Sequence, residues 1–285
     1  MRTDLTFKIN FPKFKSEIKT FSFNYGLHII FGEGGVGKTS LLRSLAGEGI
    51  GNENFMVTEI RSSGDFYIVS QNPDDQIFCR TLQGEISFTP ECYGMEPAEI
   101  AQVIKKGFEL FPYKLNSELN PSYLSGGEKE MLNLITTMQI DAKIILIDDG
   151  LSFLSDKNKT KFLDILSKWS KKKKKIILWA TSEIRDVKFS KNRLRLELFK
   201  LSYFKQIPKL NYKSMTPSSG YLNLDCENIS FNYNKNIILN NFCLKITHCR
   251  SLGVTGENGI GKTEETVKDV PAELAATRQL RSESV

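Results

Sequence analysis

The sequence predicts an α/β fold built on buried parallel strands, and three observations predict it. The runs HIIF (28–31) and IILIDD (144–149) are apolar almost throughout, the pattern of strands covered on both faces. A glycine-rich segment, GEGGVGKT (32–39), follows the first run directly. After Thr39 the chain reads SLLRSLAG, where Leu41, Leu42 and Leu45 fall at helical spacing and would pack a helix on the sheet.

The glycine-rich segment has the residue types that phosphate binding needs. From Gly32 to Thr39 it reads G-x-x-x-x-G-K-T, in the strand–loop–helix context that makes the pattern informative. Gly34, Gly35 and Gly37 are expected to let backbone N–H groups turn inward around phosphate oxygens. A helix beginning near Lys38 points its positive dipole end at the same anion. Lys38 is expected to reach the β- and γ-phosphates and Thr39 to ligate magnesium, with Ser40 beside them in the nucleotide-binding set. The second run ends at Asp148 and Asp149, where ligands bind in open α/β sheets, and Asp148 is a natural partner of the magnesium. Standing alone, the two acids would read as a capped strand end.

The glycine-rich segment returns as GENGIGKT (256–263), again after a β-rich stretch. Between the copies lies a segment with Pro208, Pro217, Ser218, Ser219 and Gly220. The expected organisation is a first domain at 1–205, a linker at 206–221, the truncated start of a similar domain at 222–263, and a tail at 264–285. The tail lacks the leucine pattern, carries Pro271 and changes composition abruptly. It reads as foreign to the repeat: a truncation scar, a frameshift or sequence introduced by cloning.

Composition sets bounds on function. No apolar run approaches the roughly 20 residues that cross a bilayer, and the N-terminus has no signal-peptide apolar region. Five scattered cysteines form no C-x-x-C pair and read as reduced thiols. A cytosolic location is the expectation. Part of the +6 formal charge comes from Lys171, Lys172, Lys173, Lys174 and Lys175. That block reads as a solvated helix end complementing the helix dipole. Contact with anionic lipid heads is the alternative, and nucleic-acid binding is disfavoured because no aromatics are interleaved. His28 and His248 are lone histidines and read as structural.

Leu124-Ser125-Gly126-Gly127-Glu128, lying between Gln71 and the 144–149 run, completes an ordered set of motifs. In that order the chain resembles an ATP-binding-cassette (ABC) domain, and the loop QNPDDQIF (71–78) is similar to that of energy-coupling-factor ATPases, which energise micronutrient uptake. The resemblance implies a P-loop NTPase of ABC type: a mixed sheet core, a helical subdomain carrying the signature, and an antiparallel β subdomain. It implies ATP and Mg2+ as ligands, with Gln71 serving both metal and catalysis. It implies that Ser125, Gly126 and Gly127 bind the γ-phosphate of ATP held by a second cassette, an anion site at a helix N-terminus. The implied partners are that second domain, in a homo- or heterodimer, and transmembrane transporter subunits, at the inner face of the cell membrane. Thr81 to Pro121 would form the helical subdomain, with the FELF run (108–111) in its core rather than on a docking patch.

Three positions depart from the family pattern. Asp149 stands where the family has a catalytic Glu, and a carboxylate displaced by about 1 Å can lose on the order of 100-fold in rate. Ser182 aligns with the switch His, and lacks its charge and reach. In Leu154-Ser155-Asp156, either Ser155 replaces the interface Asp or Asp156 is slipped by one. Binding parts are thus kept while hydrolysis parts are altered, so weak hydrolysis is expected. Lys262 and Thr263 have no further motifs after them and contribute phosphate contacts at most. Tyr233 fits the adenine-stacking position in the second copy, whereas Phe11 or Phe14 of the first copy fit core packing better.

Overall fold

The computed structural model describes residues 5–14, 17–49, 51–205, 222–233 and 236–249. The chain divides into two units, Met1–Lys209 and Leu210–Val285. In the first, the elements run β1 (Leu5–Asn10), β2 (Lys19–Phe23), β3 (Gly26–Phe31), α1 (Lys38–Leu45), β4 (Met56–Ser62) and β5 (Phe66–Val69). Helices α2 (Leu82–Cys92), α3 (Pro97–Leu110) and α4 (Gly126–Thr137) follow. Then come β6 (Ile144–Asp148), α5 (Asp156–Lys173), β7 (Ile176–Thr181), β8 (Asn192–Glu197) and β9 (Lys200–Tyr203).

The main sheet has the order β5-β6-β7-β3-β8-β9. It is parallel from β5 to β8, and β9 returns antiparallel to β8. The three apolar strands β3, β6 and β7 are buried along their whole length, as strands covered on both faces must be. A second, antiparallel sheet has the order β2-β1-β4. There β1 alternates: Leu5, Phe7 and Ile9 are buried and their neighbours only partly so, the signature of a sheet with one face on the core.

Alternation along the central strands divides the core in two. Ile144, Leu146, Ile176 and Leu178 join Leu41, Leu42 and Leu45 of α1 and Phe7, Phe21 and Phe23 of the antiparallel sheet. Ile145, Ile147, Ile177 and Trp179 join Met131, Leu132, Leu134 and Ile135 of α4 and Phe162, Leu163 and Leu166 of α5. Phe111 is buried in this second cluster and Phe108 packs against it, so the FELF run is core. On α3, a Cβ at Gly107 would lie 3.0 Å from Ile86 and 3.2 Å from Ile135, so the crossing with α2 and α4 uses the missing side chain. Phe11 is buried in the first cluster beside Phe55. His28 is buried edge-on to Phe23, with its Nε2 2.8 Å from the Asn24 carbonyl.

The lysine block corrects one expectation. Lys171, Lys172 and Lys173 end α5 and Lys174 takes the left-handed cap, all exposed. Lys175 is instead buried. Its Nζ donates to the carbonyls of Ile140 (2.9 Å) and Ala142 (2.6 Å) and lies 5.4 Å from the Trp169 ring centre. It satisfies backbone acceptors ahead of β6, the accounting that buried carbonyls demand. Burial holds its pKa below the usual lysine value.

In the second unit, β10 (Leu222–Tyr233) and β11 (Asn236–Cys249) pair as an antiparallel hairpin. Lys262 and Thr263, the tail, and the side chains of Phe14, Tyr233 and His248 lie outside the described residues.

Candidate functional site

The glycine-rich loop joins β3 to α1. Gly35 (φ 79°) and Gly37 (φ 99°) occupy the left-handed region, and Gly37 caps α1. Gly32 is required for a different reason: a Cβ there would lie 2.7 Å from the Leu196 carbonyl and 2.8 Å from Val36. Gly34 has a φ that is not positive, and a Cβ there would meet no protein atom within 4 Å. Within the protein itself, glycine is required at Gly32 by the close approach of Leu196 and Val36 and at Gly35 and Gly37 by their positive φ.

Lys38 starts α1, and its Nζ donates to the loop carbonyls of Gly32 (2.8 Å) and Glu33 (3.0 Å). Partial burial lowers its pKa, while Asp149 and Asp148 raise it. Asp148, the last residue of β6, is buried. Burial raises its pKa, and a hydrogen bond from Thr39 opposes that shift. Thr39 and Asp148 thus bring two oxygen donors together beside the lysine, a donor set suited to a hard cation. Ser40 follows on the first turn of α1, half-buried. The glycine cradle, the lysine and the paired oxygens fit a magnesium nucleotide.

Asp149 follows in the left-handed conformation (φ 53°), and its N–H donates to the Ala180 carbonyl at 3.0 Å. The parallel register Asp148↔Ala180 brings the residues after β7 alongside. Ser182 Oγ donates to Asp149 Oδ2 at 3.2 Å. Beneath it, Thr181 is stitched twice: its carbonyl accepts Gly32 N–H (3.1 Å), and its hydroxyl donates to Asp186 (2.7 Å). Asp186 is paired in turn with the buried Lys159 of α5 at 3.1 Å.

Gln71 is exposed and shares a cavity of about 880 Å³ with Thr39, Asp148 and Gln76. The sequence reading missed the residues that hold this loop. Gln76 accepts Ser70 N–H (2.8 Å) and donates to the Ile68 carbonyl (2.8 Å) and the Tyr67 hydroxyl (3.2 Å). From α4, Asn133 donates to the Pro73 carbonyl (2.9 Å), and Lys129 pairs with Asp74 at 2.8 Å. The second glutamine of QNPDDQIF was the available signal.

Ser125 caps α4. Its hydroxyl accepts Glu128 N–H (3.4 Å), and Glu128 accepts Ser125 N–H (2.7 Å), a reciprocal capping box. Tyr113 also donates to Glu128. Gly126 and Gly127 supply first-turn N–H groups that the helix itself leaves without acceptors. A Cβ on Gly126 would lie 3.2 Å from the Phe153 ring. Ser125, Gly126 and Gly127 are not among the residues lining the cavity of Thr39, Gln71 and Asp148. Ser155 caps α5 and Asp156 is its first residue. Glu130, also unforeseen, is buried beneath the segment after Asp149. It accepts Phe153 N–H (2.9 Å) and Ser152 Oγ–H (3.4 Å), and burial pushes its pKa up to about 7.

Residues 19–152 match a family model described as ABC transporter. The energy-coupling factor transporter ATP-binding protein EcfA1 of Thermotoga maritima is 28% identical over 158 residues, covering 53% of this chain and 61% of that protein. EcfA1 of Mycoplasma capricolum is 28% identical over 200 residues, covering 65% and 48%. The chain thus spans about half to three fifths of the length of these relatives. A solved structure, a metal-chelate type ABC transporter in an inward-facing conformation, aligns with a TM-score of 0.55 at 16% identity over 86% of this chain and 97% of that one. At that identity the likeness speaks for the fold alone.

Proposed function

We propose that this chain is an ATP-binding-cassette subunit similar to those of energy-coupling-factor transporters, and that it binds ATP with magnesium, closes head-to-tail on a second cassette, and hydrolyses the nucleotide slowly to drive micronutrient import. The observation that carries the reading is one convergence. Lys38, Thr39, Asp148, Asp149 and Ser182 meet at the C-terminal ends of β3, β6 and β7, where open α/β sheets bind ligands.

The residues divide the work. The N–H groups around Gly35 and Gly37, with Lys38, hold the β- and γ-phosphates. Thr39 and Asp148 would hold magnesium, with Gln71 facing the same cavity; when bound, the ion supplies positive charge to the phosphate oxygens. Asp149 accepts a hydrogen bond from the attacking water, from a shorter arm than glutamate would provide. Ser125, Gly126 and Gly127 serve the nucleotide of the second cassette, and Lys262 and Thr263 add phosphate contacts at most. Membrane-embedded partner subunits would select the cargo and hold the chain at the inner face of the membrane. A second reading, a nucleotide-binding module with little hydrolysis of its own, is favoured by Asp149 and Ser182.

Replacing Lys38 tests the binding claim. Lys38→Ala should weaken MgATP binding by about 2–5 kcal/mol, the usual cost of removing one charge from a buried pair. Calorimetry giving equal affinity for both proteins would remove the phosphate-site assignment. The rate of ATP turnover by the intact chain, set beside its affinity, separates the two readings.

A further inference from the structure

We infer that Ser182 is a positioning residue for Asp149, holding the carboxylate through its hydroxyl rather than meeting the nucleotide itself. This rests on the proposed ATPase reading and names the residue on which turnover depends. Three features of the fold converge on the pair. The parallel register Asp148↔Ala180 sets the ends of β6 and β7 side by side, and Asp149 N–H donates to the Ala180 carbonyl at 3.0 Å. Asp149 then turns into the left-handed region at φ 53°, where asparagine, aspartate and histidine are several-fold enriched among non-glycine residues. Ser182 stands on a turn fixed from below: Glu183 N–H donates to Thr181 Oγ1 (3.0 Å), and Thr181 Oγ1 donates to Asp186 (2.7 Å), itself anchored by Lys159. Both partners are therefore placed by main chain and buried polar contacts, and the 3.2 Å bond from Ser182 Oγ to Asp149 Oδ2 joins them.

The short residues match each other. Turning one carboxylate oxygen toward Ser182 directs the other toward substrate water. In the reaction, the water oxygen bonds to the γ-phosphorus as the bond to the bridging oxygen of ADP breaks. ADP leaves with that electron pair, and Asp149 accepts a water proton and returns it to solvent. Serine at 182 needs no positive charge for this task, only a hydroxyl within reach of a short arm. A longer arm at 149 would carry the carboxylate past the hydroxyl. Asp149→Glu alone should therefore lower turnover.

The test compares Ser182→Ala, Ser182→Thr and Asp149→Glu with the full chain over a range of protein concentrations. It reads kcat, KM, MgATP affinity by calorimetry, and ADP retention in vanadate. Ser182→Ala should lower kcat about 10-fold, as loss of alignment at a reacting group does. KM and affinity should stay unchanged, and vanadate retention of ADP should fall with kcat. Ser182→Thr, which keeps the hydroxyl, should recover most of the rate. The inference is overturned if Ser182→Ala turns over like the wild type, if Thr is as slow as Ala, or if Asp149→Glu is faster. A wild-type chain that binds MgATP but turns over no faster than Lys38→Ala also overturns it, while the binding reading stands. A wild-type chain that fails to bind MgATP instead marks failure of the function reading.

Discussion

Glu130 carries the sharpest consequence at the scale of single residues. Its carboxyl is buried and accepts Phe153 N–H and Ser152 Oγ–H, yet burial holds its pKa near 7 against an ordinary value of 4.5. Between those two pH values the folded chain keeps a proton that the unfolded chain has released. Stability therefore falls as pH rises through the window and levels off above it. We predict that Glu130→Gln removes this slope and stabilises the protein at pH 8 by on the order of 1–3 kcal/mol, with little change at pH 4.5. Urea titrations of both proteins at the two pH values check it; equal slopes would show that Glu130 does not hold the proton. Nothing in the sequence marked this residue, because a glutamate inside a helical run reads as surface until the packing of Phe153 is known. Lys175 escaped for the same reason: only the fold brings the carbonyls of Ile140 and Ala142 to its amine. That Lys38, Thr39 and Asp148 come together could be read from the sequence, because the glycine-rich loop and the end of the 144–149 run sit at the same ends of parallel strands.

At the scale of elements, continuous apolar runs announced β3 and β6, and leucine spacing announced α1, since each pattern follows from which faces are covered. The pairing of β9 back onto β8 was not legible, because a four-residue edge strand has too little pattern to declare its partner. Helix α4 shows how one short motif performs two tasks. Its capping box closes the first turn from inside through Ser125 and Glu128, while the N–H groups of Gly126 and Gly127 remain directed out of the helix end. Ser125→Ala removes the cap acceptor, and we predict a loss of about 1 kcal/mol of stability without nucleotide, the usual cost at such a position. Denaturant unfolding of the nucleotide-free chain measures it. An unchanged midpoint would mean that the Glu128 arm, with its added contact from Tyr113, sustains the turn by itself.

At the scale of the whole molecule, the proposed P-loop site and the proposed signature site do not line a common cavity within one chain. Thr39, Gln71 and Asp148 share a cavity that Ser125, Gly126 and Gly127 do not line. If the signature serves a second molecule's nucleotide, each complete site takes its P-loop from one chain and its signature from another. That arrangement makes a specific prediction for mixtures. Lys38→Ala loses its own phosphate site but keeps a sound signature; Ser125→Ala has the reverse defect. Each variant alone can build only sites with one damaged half. In a mixed pair, one site combines both damaged halves and the other combines both sound ones. With equal amounts and random pairing, half of all pairs are mixed, so hydrolysis should recover up to about a quarter of the wild-type rate in a two-fold symmetric dimer. The recovery should rise steeply with total protein concentration, because pairing precedes chemistry. Steady-state hydrolysis of the mixture against its separate components measures it. A mixture no more active than the average of the two variants would mean that the signature of one chain does not complete the phosphate site of another.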